Sequence, residues 1–121
     1  MPRKPLAIIA ALVLSAAFLA GCLSVPKPYE DNASPVMFFY SDVCPHCAAM
    51  KPILTKLSDQ GYRVKPMDVQ ANKDYWNTYS IDGTPTWIAA NGDRLVGEQS
   101  EYGLQTWLEA HGAKIRPPKP Q

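Results

Sequence analysis

The hydrophobic pattern of this chain alternates between strand-type runs and helix-type spacing. Val36–Tyr40 is a continuous apolar run of strand length, as expected for a strand that is buried on both faces of a sheet. From Cys47 to Leu57 the apolar residues recur at steps of three and four, which predicts a helix from Cys44 to about Asp59. The first half of the domain therefore predicts a strand followed by a helix.

The second half predicts three more strands and two more helices. Tyr62–Val69 has a strand pattern that is interrupted by a proline, which suits an edge strand or a bulge. A short helix is expected around Lys73–Tyr79. Thr86–Ala90 and Arg94–Val96 are predicted strands joined by an Asn-Gly hairpin turn, and a last helix covers about Tyr102–His111. The order βαβαββα predicts an α/β domain in which a mixed four-stranded sheet has helices on both faces.

The segments that flank this domain have a different composition. Residues 22–34 contain two prolines and few apolar side chains, which predicts an extended linker. Residues 113–121 are rich in proline and basic residues and predict a disordered tail, with a peptide-docking or anionic-surface role as the alternative. The domain itself is therefore expected to span residues 35–112, and we expect it to be a monomer.

The N-terminus has the parts of an export signal in their usual order. Met1–Pro5 is short and positive, and Leu6–Ala20 is an uncharged apolar run that is too short to span a membrane comfortably. The sequence Leu-Ala-Gly that leads to Cys22 resembles the lipobox of bacterial lipoproteins. That resemblance implies a signal peptide at residues 1–21 and a lipid anchor on Cys22, since several acyl chains hold a protein firmly on a membrane. An uncleaved anchor helix and an ordinary signal peptide are the alternatives.

Each of these interpretations places the remaining chain outside the cytoplasm. The lipoprotein resemblance implies a bacterial cell envelope location, with the domain facing the periplasm. Leu23 follows Cys22 where an aspartate would signal inner-membrane retention in enteric-type bacteria, so the outer membrane is favoured over the inner one.

The charge of the exported part argues against a nucleic-acid partner. Removing Arg3 and Lys4 from the 12 basic residues leaves 10, against 11 acidic residues, so the net charge becomes −1. No basic patch interleaved with aromatic residues is visible in the sequence, and nucleic-acid binding is therefore not expected.

The three cysteines divide into one candidate lipid site and one pair. If Cys22 carries lipid, Cys44 and Cys47 remain as a C-x-x-C pair in a compartment that permits disulfides. Pro45 at the first helical position places Cys44 near the helix N-cap, where free N–H groups and the helix dipole favour a thiolate. His46 adds a donor or a positive charge. We therefore predict Cys44 as the nucleophile and Cys47 as the resolving sulfur.

A metal site and a static disulfide are the alternatives for this pair. A structural zinc ion needs four ligands, and beyond the two cysteines the exported chain offers only His46, His111 and carboxylates. A disulfide between cysteines with this spacing closes so small a loop that it stabilises the fold little. We therefore predict no metal and no organic cofactor.

A C-x-x-C pair at a strand-to-helix junction resembles the active site of the thioredoxin superfamily. Pro52 lies five residues after Cys47, at the offset where the active-site helix of that family contains a proline. The turn Gly83-Thr84-Pro85 resembles the segment that ends in a cis-proline beside the redox pair. The resemblance implies a minimal thioredoxin-like fold, a cis Thr84–Pro85 bond and a substrate groove formed by these two residues.

The resemblance also bears on the chemistry. The tetrapeptide Cys-Pro-His-Cys is that of the oxidising Dsb proteins, whereas the turn at Pro85 looks more like that of the disulfide isomerases. The buried acid of thioredoxin, six residues before its first active-site cysteine, is replaced here by Phe38. The resemblance implies a thiol–disulfide oxidoreductase that acts on exported protein thiols and disulfides, favoured as an oxidant, with a membrane thiol carrier as a candidate redox partner. A reductase or isomerase partner and a non-catalytic binding module are the alternatives.

Overall fold

The computed structural model describes residues 25–120 of the chain. The predicted signal peptide, the predicted lipidation site Cys22 and the last residue lie outside the described residues. Within residues 25–120, no helix is both long and apolar enough to cross a membrane.

One four-stranded sheet forms the centre of the molecule. Its strands in chain order are β1 (Val36–Tyr40), β2 (Lys65–Asp68), β3 (Thr86–Ala89) and β4 (Arg94–Val96). Their order across the sheet is β2-β1-β3-β4. Strand β1 pairs parallel with β2 and antiparallel with β3, and β4 pairs antiparallel with β3. The predicted mixed sheet is confirmed, and the central position of β1 explains its continuous apolar run.

Three helices cover the two faces of this sheet, as predicted. They are α1 (Pro45–Ser58), α2 (Tyr75–Thr78) and α3 (Glu101–Ala110). On one face, leucines from α1 and α3 pack with Phe38 and Trp87 in the larger hydrophobic core. On the other face, Tyr75 and Tyr79 pack against Phe39 in a smaller core.

Strand β2 is shorter than its sequence pattern predicts. Tyr62 and Val64, which we expected in this strand, instead form isolated bridges with Lys114 and Glu30. The first residues of the predicted strand therefore pair with the two flanking segments rather than with the sheet.

Both flanking segments differ from the sequence prediction in the part that the structure describes. In the predicted linker, Tyr29 is buried and its carbonyl oxygen accepts a hydrogen bond from the Val64 N–H at 2.8 Å. In the predicted disordered tail, Ala113 is fully buried and its carbonyl oxygen accepts from the Arg63 N–H at 2.9 Å. The reason is that Gly61–Val64 offers backbone partners to both segments, which composition alone does not reveal.

Gly61 makes the close approach of the tail possible. Its φ of +103° lies in a region that residues with a side chain rarely adopt, and a Cβ atom here would lie 2.1 Å from the Arg116 carbonyl oxygen. The Arg116 guanidinium in turn donates through Nε to the Asp31 carboxylate at 2.8 Å, which joins the tail to the linker.

Candidate active site

Cys44 lies at the point where the turn after β1 meets the first turn of α1. It is the N-cap residue of α1, with extended backbone angles of φ −90° and ψ 117°, and Pro45 follows at the start of the helix. Its sulfur accepts a hydrogen bond from the Cys47 N–H at 3.4 Å. A proline at N1 suits this position because it needs no N–H partner, and the structure places Cys44 where the sequence predicts it.

The two cysteines have different environments. Cys44 is partly exposed, whereas Cys47 is 1% exposed, and both are free thiols in this structure. Burial raises the pKa of Cys44, but hydrogen bonds from the Thr84 and Cys47 side chains and from the Cys47 and His46 backbone outweigh it, so that this pKa is lowered. Burial is also the main cause that raises the pKa of Cys47. The thiolate therefore forms first on the accessible sulfur.

The turn at Thr84 lies against the Cys44 sulfur. The Cys44 thiol donates to the Thr84 carbonyl oxygen at 3.4 Å, and the Thr84–Pro85 peptide bond is cis, which confirms the implied backbone conformation. The Pro85 carbonyl oxygen accepts from the Gly97 N–H at 2.8 Å, which joins this turn to the loop after β4. The predicted groove residues are thus next to the predicted nucleophile.

The His46 side chain contacts an acid that the sequence does not predict. His46 is predicted to add a donor or a positive charge beside Cys44, and in the structure its Nδ1 atom lies 2.5 Å from the Glu98 carboxylate oxygen Oε2. The two side chains are 66% and 47% exposed. The hydrogen bond to Glu98, together with the charge of its carboxylate, raises the pKa of His46. Glu98 was missed in the sequence because nothing in its local pattern marks it: the contact joins residues 52 positions apart.

The position of the buried acid in thioredoxin is filled by an aromatic stack. The rings of Phe38 and Trp87 lie 5.1 Å apart and nearly parallel, and Trp87 is fully buried. Trp87 therefore belongs to the hydrophobic core, and an aromatic side chain offers no carboxylate to relay a proton from Cys47.

Within residues 25–120, no group of three or more histidine, cysteine, aspartate or glutamate side chains is arranged so that it could hold a metal ion.

The family model of thioredoxin matches residues 27–110, and the chain belongs to this family. No curated protein matches the sequence significantly. The matched range begins within the predicted linker, in agreement with the burial of Tyr29.

Several solved thioredoxins share the fold. A thioredoxin variant from Halobacterium salinarum has 24% identity and a TM-score of 0.58, with 78% of this chain and 100% of that chain covered. A thioredoxin from Malassezia sympodialis has 23% identity and a TM-score of 0.56, over 72% and 82% of the two chains. A reduced thioredoxin preprotein from Schistosoma mansoni has 25% identity and a TM-score of 0.53, over 63% and 76%. A thioredoxin fold with Cys44 and Cys47 side by side supports thiol–disulfide redox chemistry in general.

Proposed function

We propose that this protein is a lipid-anchored thiol–disulfide oxidoreductase of the bacterial cell envelope that oxidises protein thiols through Cys44 and Cys47. The observation that carries the proposal is the contrast between the two sulfurs: Cys44 is accessible at a helix N-cap and has a lowered pKa, whereas Cys47 is buried and has a raised pKa. This is the division of roles that attack and resolution require.

The oxidation proceeds in two exchange steps. A substrate thiolate attacks the Cys44 sulfur of the oxidised pair, and the mixed disulfide forms as the bond to Cys47 breaks. Cys47 leaves as a thiolate and takes up a proton, as its raised pKa favours. A second substrate thiolate then attacks the substrate sulfur of the mixed disulfide, so that a substrate disulfide forms and Cys44 leaves as a stabilised thiolate. Two electrons pass from the substrate to the cysteine pair.

The groove at Thr84 and Pro85 is proposed to hold the substrate during these steps. The Thr84 carbonyl oxygen is already within hydrogen-bond reach of Cys44, so a segment that pairs with this backbone would bring its own sulfur to the nucleophile. The reduced pair must afterwards pass two electrons to an oxidant, for which we propose the disulfide form of a membrane thiol carrier.

The envelope location rests on the N-terminal sequence. The charged start, the apolar run and the residues that lead to Cys22 support export and lipidation, and Leu23 supports the outer membrane. We expect mass spectrometry of the exported protein to find acyl groups on Cys22, and a free Cys22 thiol would contradict the lipid anchor.

The direction of electron flow is supported by the stabilised Cys44 thiolate. Interactions that favour this thiolate stabilise the reduced pair and make the disulfide a stronger oxidant. We therefore expect a reduction potential well above a thioredoxin-like value of about −270 mV, toward about −120 to −180 mV. His46→Ala should raise the pKa of Cys44 and make the potential more negative, because it removes a positive charge from the first helical turn.

Equilibration of the pair against glutathione buffers measures this potential, and the ultraviolet absorbance of the thiolate during a pH titration measures the pKa of Cys44. A potential near or below about −270 mV would contradict the oxidant and favour a reductase or isomerase partner. An unchanged Cys44 pKa in His46→Ala would show that the helix N-terminus activates the sulfur without the imidazole.

A further inference from the structure

The loop between β4 and α3 is held in place on both sides of Glu98. The Gly97 N–H donates to the Pro85 carbonyl oxygen at 2.8 Å, and the Gln99 N–H donates to the Met50 sulfur at 3.4 Å. The first bond fixes the loop to the turn beside Cys44, and the second fixes it to a buried residue of α1. The backbone of Glu98 therefore has little freedom to move away from the active site.

The side chain of Glu98 uses this fixed position to contact His46. Its Oε2 atom lies 2.5 Å from Nδ1 of the imidazole, which belongs to the first turn of α1, two residues after Cys44. Glu98 thus contacts an imidazole that lies two residues after Cys44 in the chain and that also interacts with the charge of Cys44.

We propose that Glu98 is a positioning residue of the redox site: it holds the His46 imidazolium, offsets its positive charge beside Cys44 and thereby limits the oxidising power of the cysteine pair. This inference rests on the proposed function. It adds Glu98, which lies outside the Cys-Pro-His-Cys segment, to the residues that determine the stability of the Cys44 thiolate.

The physical reason is the net charge of the pair next to the sulfur. An isolated imidazolium stabilises a nearby thiolate, whereas an imidazolium paired with a carboxylate has no net charge and stabilises it less. Glu98 also keeps the ring protonated, since it raises the pKa of His46, and the charge of Cys44 acts in the same direction. On the neighbouring turn, Asp42 is paired with Lys51 at 3.5 Å.

This arrangement predicts an effect that depends on pH. Below its ordinary pKa of 6.5 the imidazole is mostly protonated with or without Glu98, so Glu98→Gln leaves an uncompensated positive charge and should favour the Cys44 thiolate. As the pH rises, the variant loses this proton before the wild-type protein does, because the partner that raises the pKa of His46 is absent. Between the two pKa values His46 and its partner carry no net charge in either protein, and the difference between the two proteins should shrink.

The expected size of the effect is modest because both side chains are exposed. Exposed ion pairs are worth little, and a change of roughly threefold in the equilibrium with glutathione at pH 6 is expected for Glu98→Gln. For a two-electron couple this corresponds to about 14 mV toward a more oxidising potential. High salt should reduce it, because the charges are screened.

The experiment combines two measurements on Glu98→Gln. The NMR titration of the imidazole reports the contact itself, and the pKa of His46 should fall while that of His111 is unchanged. The equilibrium constant with glutathione at pH 6 and pH 8 reports the redox effect. Glu101→Gln is the matched control, because this acid lies three residues further on and pairs with Lys56 at 3.1 Å instead of with His46.

Each outcome decides one part of the inference. An unchanged pKa of His46 in Glu98→Gln would overturn the proposed contact, whether or not the protein exchanges with glutathione. A changed pKa of His46 with no change of the equilibrium at pH 6, or an equal change in Glu101→Gln, would overturn the redox role. In the His46→Ala background the imidazole is absent, so the change that Glu98→Gln causes in the equilibrium constant with glutathione should not decrease between pH 6 and pH 8. Failure of all redox exchange would contradict the proposed function, and the titration would still test the contact.

Discussion

The two ends of helix α1 are built from different kinds of contact. At the N-terminal end, which we call the redox end, the ionisable groups of Cys44, His46 and Glu98 lie at or near the surface. At the C-terminal end, which we call the base, the buried backbone of Gly61 is bonded to the tail, and Val64 is bonded to the linker. The helix therefore separates the part of the molecule that reacts from the part that is packed.

The contacts at the base are mostly backbone hydrogen bonds. The Gly61 carbonyl oxygen accepts from the N–H groups of Ile115 and Arg116, each at 3.1 Å, and the Asp59 carbonyl oxygen accepts from the Lys119 N–H at 2.7 Å. A reactive sulfur must stay accessible, so the redox end cannot be covered in this way, and stability is expected to come from the base.

The largest expected effect belongs to the redox end. Cys44→Ser should abolish thiol–disulfide exchange, because a hydroxyl group neither attacks a disulfide nor forms a mixed one, while the free energy of unfolding of the reduced protein changes little. Exchange with a model disulfide peptide and urea unfolding measure the two properties.

Cys47→Ser is the matched control at the same site. It keeps the attacking sulfur but lacks the resolving one, so mixed disulfides on Cys44 should accumulate. If Cys44→Ser retains full function in the cell, the protein is a binding module whose cysteines are not used.

The next largest effect belongs to the base. Gly61→Ala should lower the free energy of unfolding by about 1–3 kcal/mol, because the new Cβ would meet the Arg116 carbonyl oxygen at a backbone conformation that alanine rarely adopts. The reduction potential of the folded molecules should be unchanged, since Cys44 lies at the other end of α1.

Gly92→Ala separates the two causes of this loss. Gly92 also has a positive φ, +93°, but a Cβ there would have no atom within 4 Å. Gly92→Ala should therefore lower the free energy of unfolding less than Gly61→Ala does. Equal losses of unfolding free energy would show that the tail can shift at Arg116 without loss of stability.

The smallest expected effect concerns the ion pair at the base. The backbone N–H of Ala33 is the main cause that lowers the pKa of Asp31, and the Arg116 side chain adds to it. A carboxyl with a lowered folded pKa contributes stability above its unfolded pKa of 3.8, and this contribution is lost as the pH falls through the folded value. In Asp31→Asn, the free energy of unfolding should therefore fall less steeply as the pH is lowered below about 4.

Arg116→Gln tests the same pair from its other side. It should reduce the pH dependence of the unfolding free energy less than Asp31→Asn does, because the hydrogen bond from the Ala33 N–H to Asp31 remains. Urea unfolding between pH 2.5 and 7 measures both variants, and an unchanged pH dependence in Asp31→Asn would contradict the assigned role of this carboxylate.

The same comparison explains which features the sequence predicts. Cys44 at the N-cap and Pro45 behind it are local features, so spacing and propensity were enough to place them. The turn at Pro85 was placed by its resemblance to a known family. The contact of Glu98 with His46 and that of Arg116 with Asp31 join residues 52 and 85 positions apart, and no local pattern records such pairs.

The tie between linker and tail also fixes where the described part of the linker lies relative to Cys44. The linker is bonded to Val64, just before the N-terminal end of β2. Because β1 runs parallel to β2, Cys44, which follows the C-terminal end of β1, lies at the opposite end of these strands. The 14 residues of α1 separate the two by about 21 Å. If Cys22 carries the predicted lipid, a tether that leaves from the base would place Cys44 at the far end of α1 from the anchor.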